Sequence, residues 1–480
     1  MHRFWSWISV FFTVTLISAT PALAQDCFPS SPTADDIAVQ ASLDATAAAG
    51  GGVVQLEPRV YVMTQPLVVG PNTHLRGAGR GATILRGAAF ISNKVISGIP
   101  VQASISVVGS MNVTISDLTV DHKTCARPGN GVELLPSESI HEGPVLSNAL
   151  VERIEVFGSG DPADHAYMIW NFKGKHVKIL NNWVDGGVNV DSSQEGIESF
   201  GGYDVLISGN TVKNIGTACI NLGSADVANS ETSGLTITNN YLTGCGIGIN
   251  LGTSNAENGP QSTEHVHLTG NTIVAVRKTG IDIVGYPGTT MRDITVIDNT
   301  IRDIDGTEVA GIKLRTANSA PLAPGVVIAN TVSRNHIENI RGSNSHGIRI
   351  TSYPNVRVLE NTITGTDNGA IYSIFADDIE MSGNKIEDGG IYPIQMHGDA
   401  IAGFARFTIE RNIISWSSPT GAIHIVDGKV GTIKDNIMKR TDSAQPPPIL
   451  VANGTCGVVI SRNVPWYWME WPGLAVPACP

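Results

Sequence analysis

The sequence predicts an all-β chain wound as a single-stranded parallel β-helix, and three observations predict it. An asparagine returns every 23 to 36 residues in one local phrase, as in ISGNTV ending at Val212, LTGNTI at Ile273, VIDNTI at Ile301, VLENTI at Ile363 and MSGNKI at Ile386. Short runs rich in β-branched residues flank it, without helical periodicity. A second phrase, Gly-Ile-x-aliphatic, follows in the aligned repeats. A fixed period in this range, carried by short strands, is the signature of a solenoid.

The elements follow in order. Residues 1–24 read as a signal peptide: Arg3, an apolar run through Ile17, and a cleavage site at Ala22, Leu23 and Ala24. The run is too short for a membrane anchor, so the expected location is periplasmic or secreted, with no membrane association after cleavage. Residues 25–104 are the N-terminal cap and first coils. Within them residues 35–49 have helical spacing, with Ile37, Val39, Leu43 and Ala47 on one face, and Gly50, Gly51 and Gly52 stop the helix. Such a capping helix covers the open end of a β-solenoid. Residues 105–465 are the coils proper. Asn182, Asn210, Asn240, Asn271, Asn299, Asn335, Asn361, Asn384, Asn412, Asn436 and Asn463 hold the recurrent slot. Each is expected in a tight turn, where asparagine tolerates left-handed backbone angles and stacked amides share hydrogen bonds. Residues 466–480 are aromatic, lack the repeat and cap the last coil.

Composition narrows the function. Only 15% of residues are charged and 52 are glycine, which suits short strands and tight turns. The net charge of −12 argues against nucleic acid as a partner. It leaves room for an acidic polysaccharide, since a basic patch can sit on an acidic protein. Six cysteines in an exported chain permit three disulfides. Cys456 is expected to pair with Cys479, and Cys27 with Cys125 is a further candidate. Cys219 and Cys245 lie on consecutive coils at different register and are either bonded or free.

Residues 35–87, which carry the capping helix, the three glycines, a strand–Pro–Tyr phrase and the turn LRGAGRGAT, resemble the N-terminal segment of the pectate-lyase-like superfamily of right-handed parallel β-helices. The Asn-Thr-Ile coils are similar to that superfamily's repeats, so the resemblance covers most of residues 35–465. It implies right-handed winding and a carbohydrate substrate. The superfamily holds polysaccharide lyases, glycoside hydrolases, uronate epimerases, fructan-transferring enzymes and phage tailspike domains. The Asn-Thr-Asp, Asp-Asp, His-Gly and Arg-Ile-Lys signatures of polygalacturonases are not present as a set, and the Asp-Pro-His motif of mannuronan epimerases is missing.

In proteins of this type the substrate cleft runs along one strand face, taken here as that of the Gly-Ile-x-aliphatic strand. Alternation turns x outward. Read coil by coil, x is Glu133, Trp170, Glu198, Asn221, Asn250, Asp282, Lys313, Arg349, Tyr372, Gln395 and His424. The outward position two residues on includes Phe172, Phe200, Arg315, Thr351 and His397. From groove isoleucine to next asparagine takes 13 residues in tight coils but 18 to 23 from Ile220, Ile249, Ile281 and Ile312. The inserted loops rise beside the middle of the stripe, where sites are built.

Two chemistries fit this stripe. A lyase neutralises a uronate carboxylate, removes the neighbouring proton and supports the leaving oxygen. Lys313, Arg315 and Arg349 fall on adjacent coils, in a cluster ~5–8 Å across, and suit those roles. Asp282 would tune Lys313 or hold a metal, with Ca2+ the candidate cofactor; Asp303, Asp305 and Glu308 are a second calcium candidate. The plain alternative is a surface ion ladder of Asp282, Lys313 and Arg349. A glycosidase needs two carboxyls ~5–9.5 Å apart. Glu198 would be one, and Asp191, Glu195, Asp226 or Glu231 the other, because Glu133 at about 10 Å and Asp282 at roughly 14 Å lie too far by strand spacing. Trp170, Phe200, Asn221, Asn250, Arg315, Tyr372, His397 and His424 are the expected substrate-binding residues. The sequence thus points first to a lyase cleaving a uronic-acid-containing polysaccharide by β-elimination. A glycoside hydrolase or transglycosylase using Glu198 is the alternative, and a non-catalytic carbohydrate-binding β-helix the third reading.

Overall fold

A computed structural model describes residues 34–87, 95–96, 99–100, 103–123, 129–136, 146–158, 166–187, 194–224, 231–253, 261–317, 327–328, 330–398, 404–417, 420–441, 447–452 and 454–465. Strands of three kinds recur in turn along the chain: one before the ladder asparagine, one after it, and one carrying Gly-Ile-x. Each pairs in parallel with its counterpart one coil away. The resulting sheets hold sixteen, fifteen and fourteen strands among the described residues. Near-equal numbers mean that each coil gives one strand to each sheet, the three-sided right-handed β-helix. Right-handed winding is the sense in which twisted strands favour parallel crossover.

The core is a stack of like on like. Ile197, Ile220, Ile249, Ile281, Ile312, Ile348, Ile371, Ile394 and Ile423 pair in register down the Gly-Ile-x sheet, and all are fully buried. Burial of each contributes about 1.5–3 kcal/mol. The glycine before the isoleucine is dictated by close approach. At Gly280 a Cβ would lie 2.5 Å from the Gly311 carbonyl oxygen and 2.6 Å from Ile301 Cγ2. Glycine and isoleucine thus both face inward, so alternation breaks there and restarts with x pointing out.

The asparagines form a buried ladder. Asn182 N and Nδ2 both donate to Asn210 Oδ1, at 2.9 and 3.0 Å, while Asn182 Nδ2 also donates to the Val151 carbonyl at 3.0 Å. The pattern repeats at Asn299, whose N and Nδ2 donate to Asn335 Oδ1, and ends at Asn463, which accepts from Asn436. One expectation is corrected. The left-handed residue is the one before the asparagine, such as Gly209 (φ 66°), Asp298 (φ 57°) or Glu360 (φ 55°). The asparagine itself must aim its amide along the helix axis, and the residue before it makes the bend.

The N-terminal helix spans Ala34–Ala48. It buries Val39 and Leu43, but Ile37 is 62% exposed and Asp36 takes its place inside. Positions 36, 39 and 43 share a helical face, whereas 37 and 39 are two residues apart and diverge. The Asp36 carboxylate accepts the Thr64 N–H at 2.9 and 3.0 Å. Cys219 and Cys245 form a disulfide across consecutive coils, with Cα atoms 5.6 Å apart. Cys456 is also disulfide-bonded; Cys27, Cys125 and Cys479 lie outside the described residues, as do the signal segment, residues 466–480, Asp191, Asp226 and most of the three inserted loops.

Asn299→Ala removes the acceptor for Asn271 N and Nδ2, both deep in the core. The expected cost is about 2–4 kcal/mol. Asn463→Ala, at the half-buried end of the ladder, is expected to cost less than half as much because water reaches the freed donors. Denaturant unfolding of the two variants checks the difference.

Candidate active site

The outward stripe is continuous. Glu133, Trp170, Glu198, Asn221, Asn250, Asp282, Lys313, Arg349, Tyr372, Gln395 and His424 pair in register, each with the next. Phe172 pairs with Phe200, and Arg315 with Thr351, in the neighbouring column. Facing outward does not make them exposed: Glu133, Glu198, Asn221 and Asp282 are all buried. The stripe is the floor of a walled groove.

An acidic centre lies at one end. Glu195 and Glu198 stand on the same strand, Glu195–Phe200. Burial pushes the Glu198 carboxyl up to about 8, and the Glu195 carboxylate beside it adds to the rise. Burial likewise pushes Glu195 up to about 7, against opposing contacts from Thr217 and Asn221. Neither is stabilised by a lysine or arginine among the described residues. Asn250 Nδ2 donates to Asn221 Oδ1 at 2.8 Å, and Asn221 Nδ2 donates to Glu198 Oε2 at 3.0 Å. Among the described residues Glu195 Oε2 is buried and meets no donor, and the buried Trp170 indole N–H lies near Glu198, whose carboxylate it favours, without reaching good hydrogen-bond geometry. Rings wall this centre. Tyr167 stacks on Trp170 with centroids 5.0 Å apart, and Trp170 meets Phe172 at 5.7 Å. Burial, then Glu198 and Glu195, hold the Tyr167 phenol up near about 12, so it is neutral. Glu133 is no second acid for Glu198: Asn130 donates to one oxygen at 2.7 Å and Ser106 to the other at 3.2 Å.

A basic centre lies four to five strands on. Here the expected roles shift in part. Asp282 still acts on Lys313 through its charge, but it makes no ion pair with it and gathers no metal ligands among the described residues; Arg315 donates to both its oxygens, at 3.1 to 3.3 Å. The carboxylate is 5% exposed and takes the guanidinium fork as partner. That occupies Arg315, so the free part of the cluster is Lys313 and Arg349. Burial lowers the Lys313 pKa; Asp282 opposes, and Arg315 and Arg349 add to the lowering. Arg349 Nε and Nη1 are buried without an acceptor among the described residues. Its guanidinium carbon sits 5.8 Å from the Tyr372 ring. His346 stacks on Tyr372 at 4.6 Å, and burial followed by Arg349 drives it down to about 3, so it is neutral. A run of rings continues from Tyr372 to His397 at 5.7 Å and on to His424 at 5.8 Å, with Tyr392 stacked on His424 at 4.5 Å.

Between the centres a cavity of about 180 Å³ is lined by Phe200, Asn221, Asn250, Tyr286 and Arg315 among others. A larger depression of about 510 Å³ lies on another sheet, but its charges are matched there, Arg357 to Glu380 at 2.9 Å and Arg406 to Asp377 and Asp378 at 3.6 Å. The groove brings several perturbed and unpartnered groups, Glu195, Glu198, Lys313 and Arg349, onto one face, which is where chemistry concentrates. Among the described residues no three His, Cys, Asp or Glu side chains gather as metal ligands; Asp303 engages Arg302 and Asn339, and Glu308 accepts from Asn344. Alternation alone did not single out Tyr167 and His346. They occupy, with Glu195, the position two before the groove isoleucine, on the far side of the inward-facing pair that breaks alternation.

Comparisons with known proteins bear on the class. Residues 29–250 match the family described as rhamnogalacturonase A/epimerase, pectate lyase-like, and residues 288–464 match the right handed beta helix region. No curated protein matches the chain. A double mutant of the tailspike protein of E. coli bacteriophage HK620, solved in complex with pentasaccharide, is 14% identical with a TM-score of 0.55, covering 90% of this chain and 77% of that one. An exopolygalacturonase from Thermotoga maritima is 11% identical, covers 87% of both chains and has a TM-score of 0.46. The A-module of the Azotobacter vinelandii mannuronan C-5 epimerase AlgE4 is 16% identical, covers 90% of this chain and 96% of that one, and has a TM-score of 0.44. Identities this low speak for fold alone. The protein is a right-handed parallel β-helix, and the two family matches support the pectate-lyase-like superfamily.

A carboxyl whose folded pKa exceeds its unfolded value of 4.5 binds its proton more tightly in the folded state. Its burial therefore costs no stability at low pH and progressively more as pH rises through about 8. Glu198→Gln is expected to raise Tm by roughly 2–4 °C above about pH 8 and to leave it unchanged near pH 4. Thermal melts at the two pH values check this.

Proposed function

We propose that the protein is an exported polysaccharide-active enzyme that cleaves a glycosidic bond at Glu195 and Glu198. The observation that carries the reading is two carboxyls on one strand of the groove floor, Glu198 buried and Glu195 half-buried with one oxygen buried, without a cation to compensate them among the described residues. A solvated face would not hold such a pair, since burying an acid without a partner is costly. Glycoside cleavage requires one carboxyl that keeps its proton and another that loses it. Two coupled carboxyls pushed up to about 7 and about 8 hold between one and two protons at neutral pH, so a state with one protonated and one ionised carboxyl is well populated. Glu198 then donates to the leaving glycosidic oxygen. Glu195 supplies the basic partner, and water completes the cleavage. Tyr167, Trp170 and Phe200 offer ring faces for sugars, while Asn221 holds Glu198 in place. The leader-like start of the chain supports export.

A second reading keeps β-elimination, with Lys313 as base and Arg349 neutralising a uronate. It is favoured by the lowered Lys313 pKa and by the unpartnered Arg349 donors. Incubation with acidic and neutral polysaccharides, following reducing ends and ultraviolet absorbance together, separates the two. Reducing ends without absorbance are expected, with kcat lowered about 10³-fold in Glu198→Gln and in Glu195→Gln. The rate should fall as pH rises above about 8. Cleavage that survives both substitutions sinks the hydrolytic reading. Absorbance that rises and is lost in Lys313→Ala establishes elimination instead.

A further inference from the structure

The two charged centres share one groove but carry opposite signs. At the acidic centre Glu195 and Glu198 face the substrate with no lysine or arginine contributing to either. A carboxylate on the sugar being cleaved would meet like charge in a desolvated place, the costliest arrangement there. At the basic centre Lys313, Arg315 and Arg349 stand against one buried carboxylate, Asp282, whose two oxygens are both taken by Arg315. Among the described residues Lys313 has no carboxylate within ion-pair distance, and Arg349 Nε and Nη1 are buried without an acceptor. His346, packed on Tyr372 beside Arg349, is neutral, and Glu308 acts only through space on Lys313. The groove therefore holds two unspent cationic donors in a protein of net charge −12.

Glu198 and Lys313 are four strands apart on the stripe, and Arg349 is one further. That is ~19–24 Å at the strand spacing, about four or five sugars of an extended glycan. We propose that Lys313 and Arg349 form a subsite for a carboxylate-bearing sugar, and that the substrate is an acidic heteropolysaccharide whose charged sugar lies at a fixed distance from a neutral cleaved linkage. A polymer charged at every sugar satisfies the basic centre but is repelled at the acidic one. A neutral polymer leaves Arg349 desolvated without a partner. This inference rests on cleavage at Glu195 and Glu198.

The test separates binding from cleavage by using the full-length Glu198→Gln protein. Its affinity is measured for gellan and xanthan, in which uronic acids are separated by neutral sugars, for the carboxyl-reduced form of each, and for polygalacturonate and dextran. At least one acidic heteropolymer should bind, about 10–100-fold more weakly once its carboxyls are reduced. Adding Arg349→Ala should remove that discrimination, and Lys313→Ala should do so in part; circular dichroism verifies that each variant is folded. Equal affinity for the native and reduced polymers, tighter binding of polygalacturonate, discrimination that survives Arg349→Ala, or no binding to any heteropolymer each overturns the proposal. Reducing-end release by the unsubstituted enzyme is followed in parallel. The binding pattern without cleavage keeps the subsite and rejects the hydrolytic reading.

Discussion

The ladder amide has more bonds to make than a turn can supply, and everything else in the structure follows from where it makes them. Each Oδ1 takes two donors from the coil before it, and each Nδ2 reaches a carbonyl further back along the same corner. Slipping one coil by a residue would strand all of these groups inside the core, at a cost of about 1–3 kcal/mol apiece. Coil lengths between 23 and 36 residues are therefore absorbed in the loops while the corner stays fixed. The groove inherits this order. Glu198, Asn221 and Asn250 come from three separate coils, yet they form one hydrogen-bonded relay because buried amides elsewhere keep their strands in phase.

That phase is why so much could be read from the sequence. A repeated asparagine gives register, period-two alternation gives orientation, and together they name the groove column from Glu133 to His424. The reading weakened wherever a side chain chose among neighbours. Asp282 sits directly opposite Lys313, but Arg315 reaches it diagonally with a fork that satisfies both oxygens. Glu195 was one of four acids in range of Glu198, and its selection depends on the break in alternation at Gly196 and Ile197, which pattern alone does not reveal. Burial was the least legible quantity. Glu198 looks like a surface acid in the repeat and is 2% exposed.

The groove is also where the fold accepts instability. Along the core column identical isoleucines stack, and every added coil repeats a favourable contact. Along the floor, acids lie near acids and arginine donors lack acceptors, so the same repetition brings opposition. A repeat scaffold can carry this because its stability is close to a sum over coils. Local strain in a few of them is offset by the many that have none.

The disulfide between Cys219 and Cys245 has a mechanical meaning for such a scaffold. A solenoid pulled from its ends unwinds coil by coil, since each layer holds only to its neighbours. The crosslink closes a segment of 26 residues, so on the order of 90 Å of chain stays out of reach of an extending force. Cys219 lies on the strand that abuts Glu198. Unravelling from either end thus meets a covalent stop beside the acidic centre, and the part of the rod that tension cannot open is the part that borders the carboxyl pair.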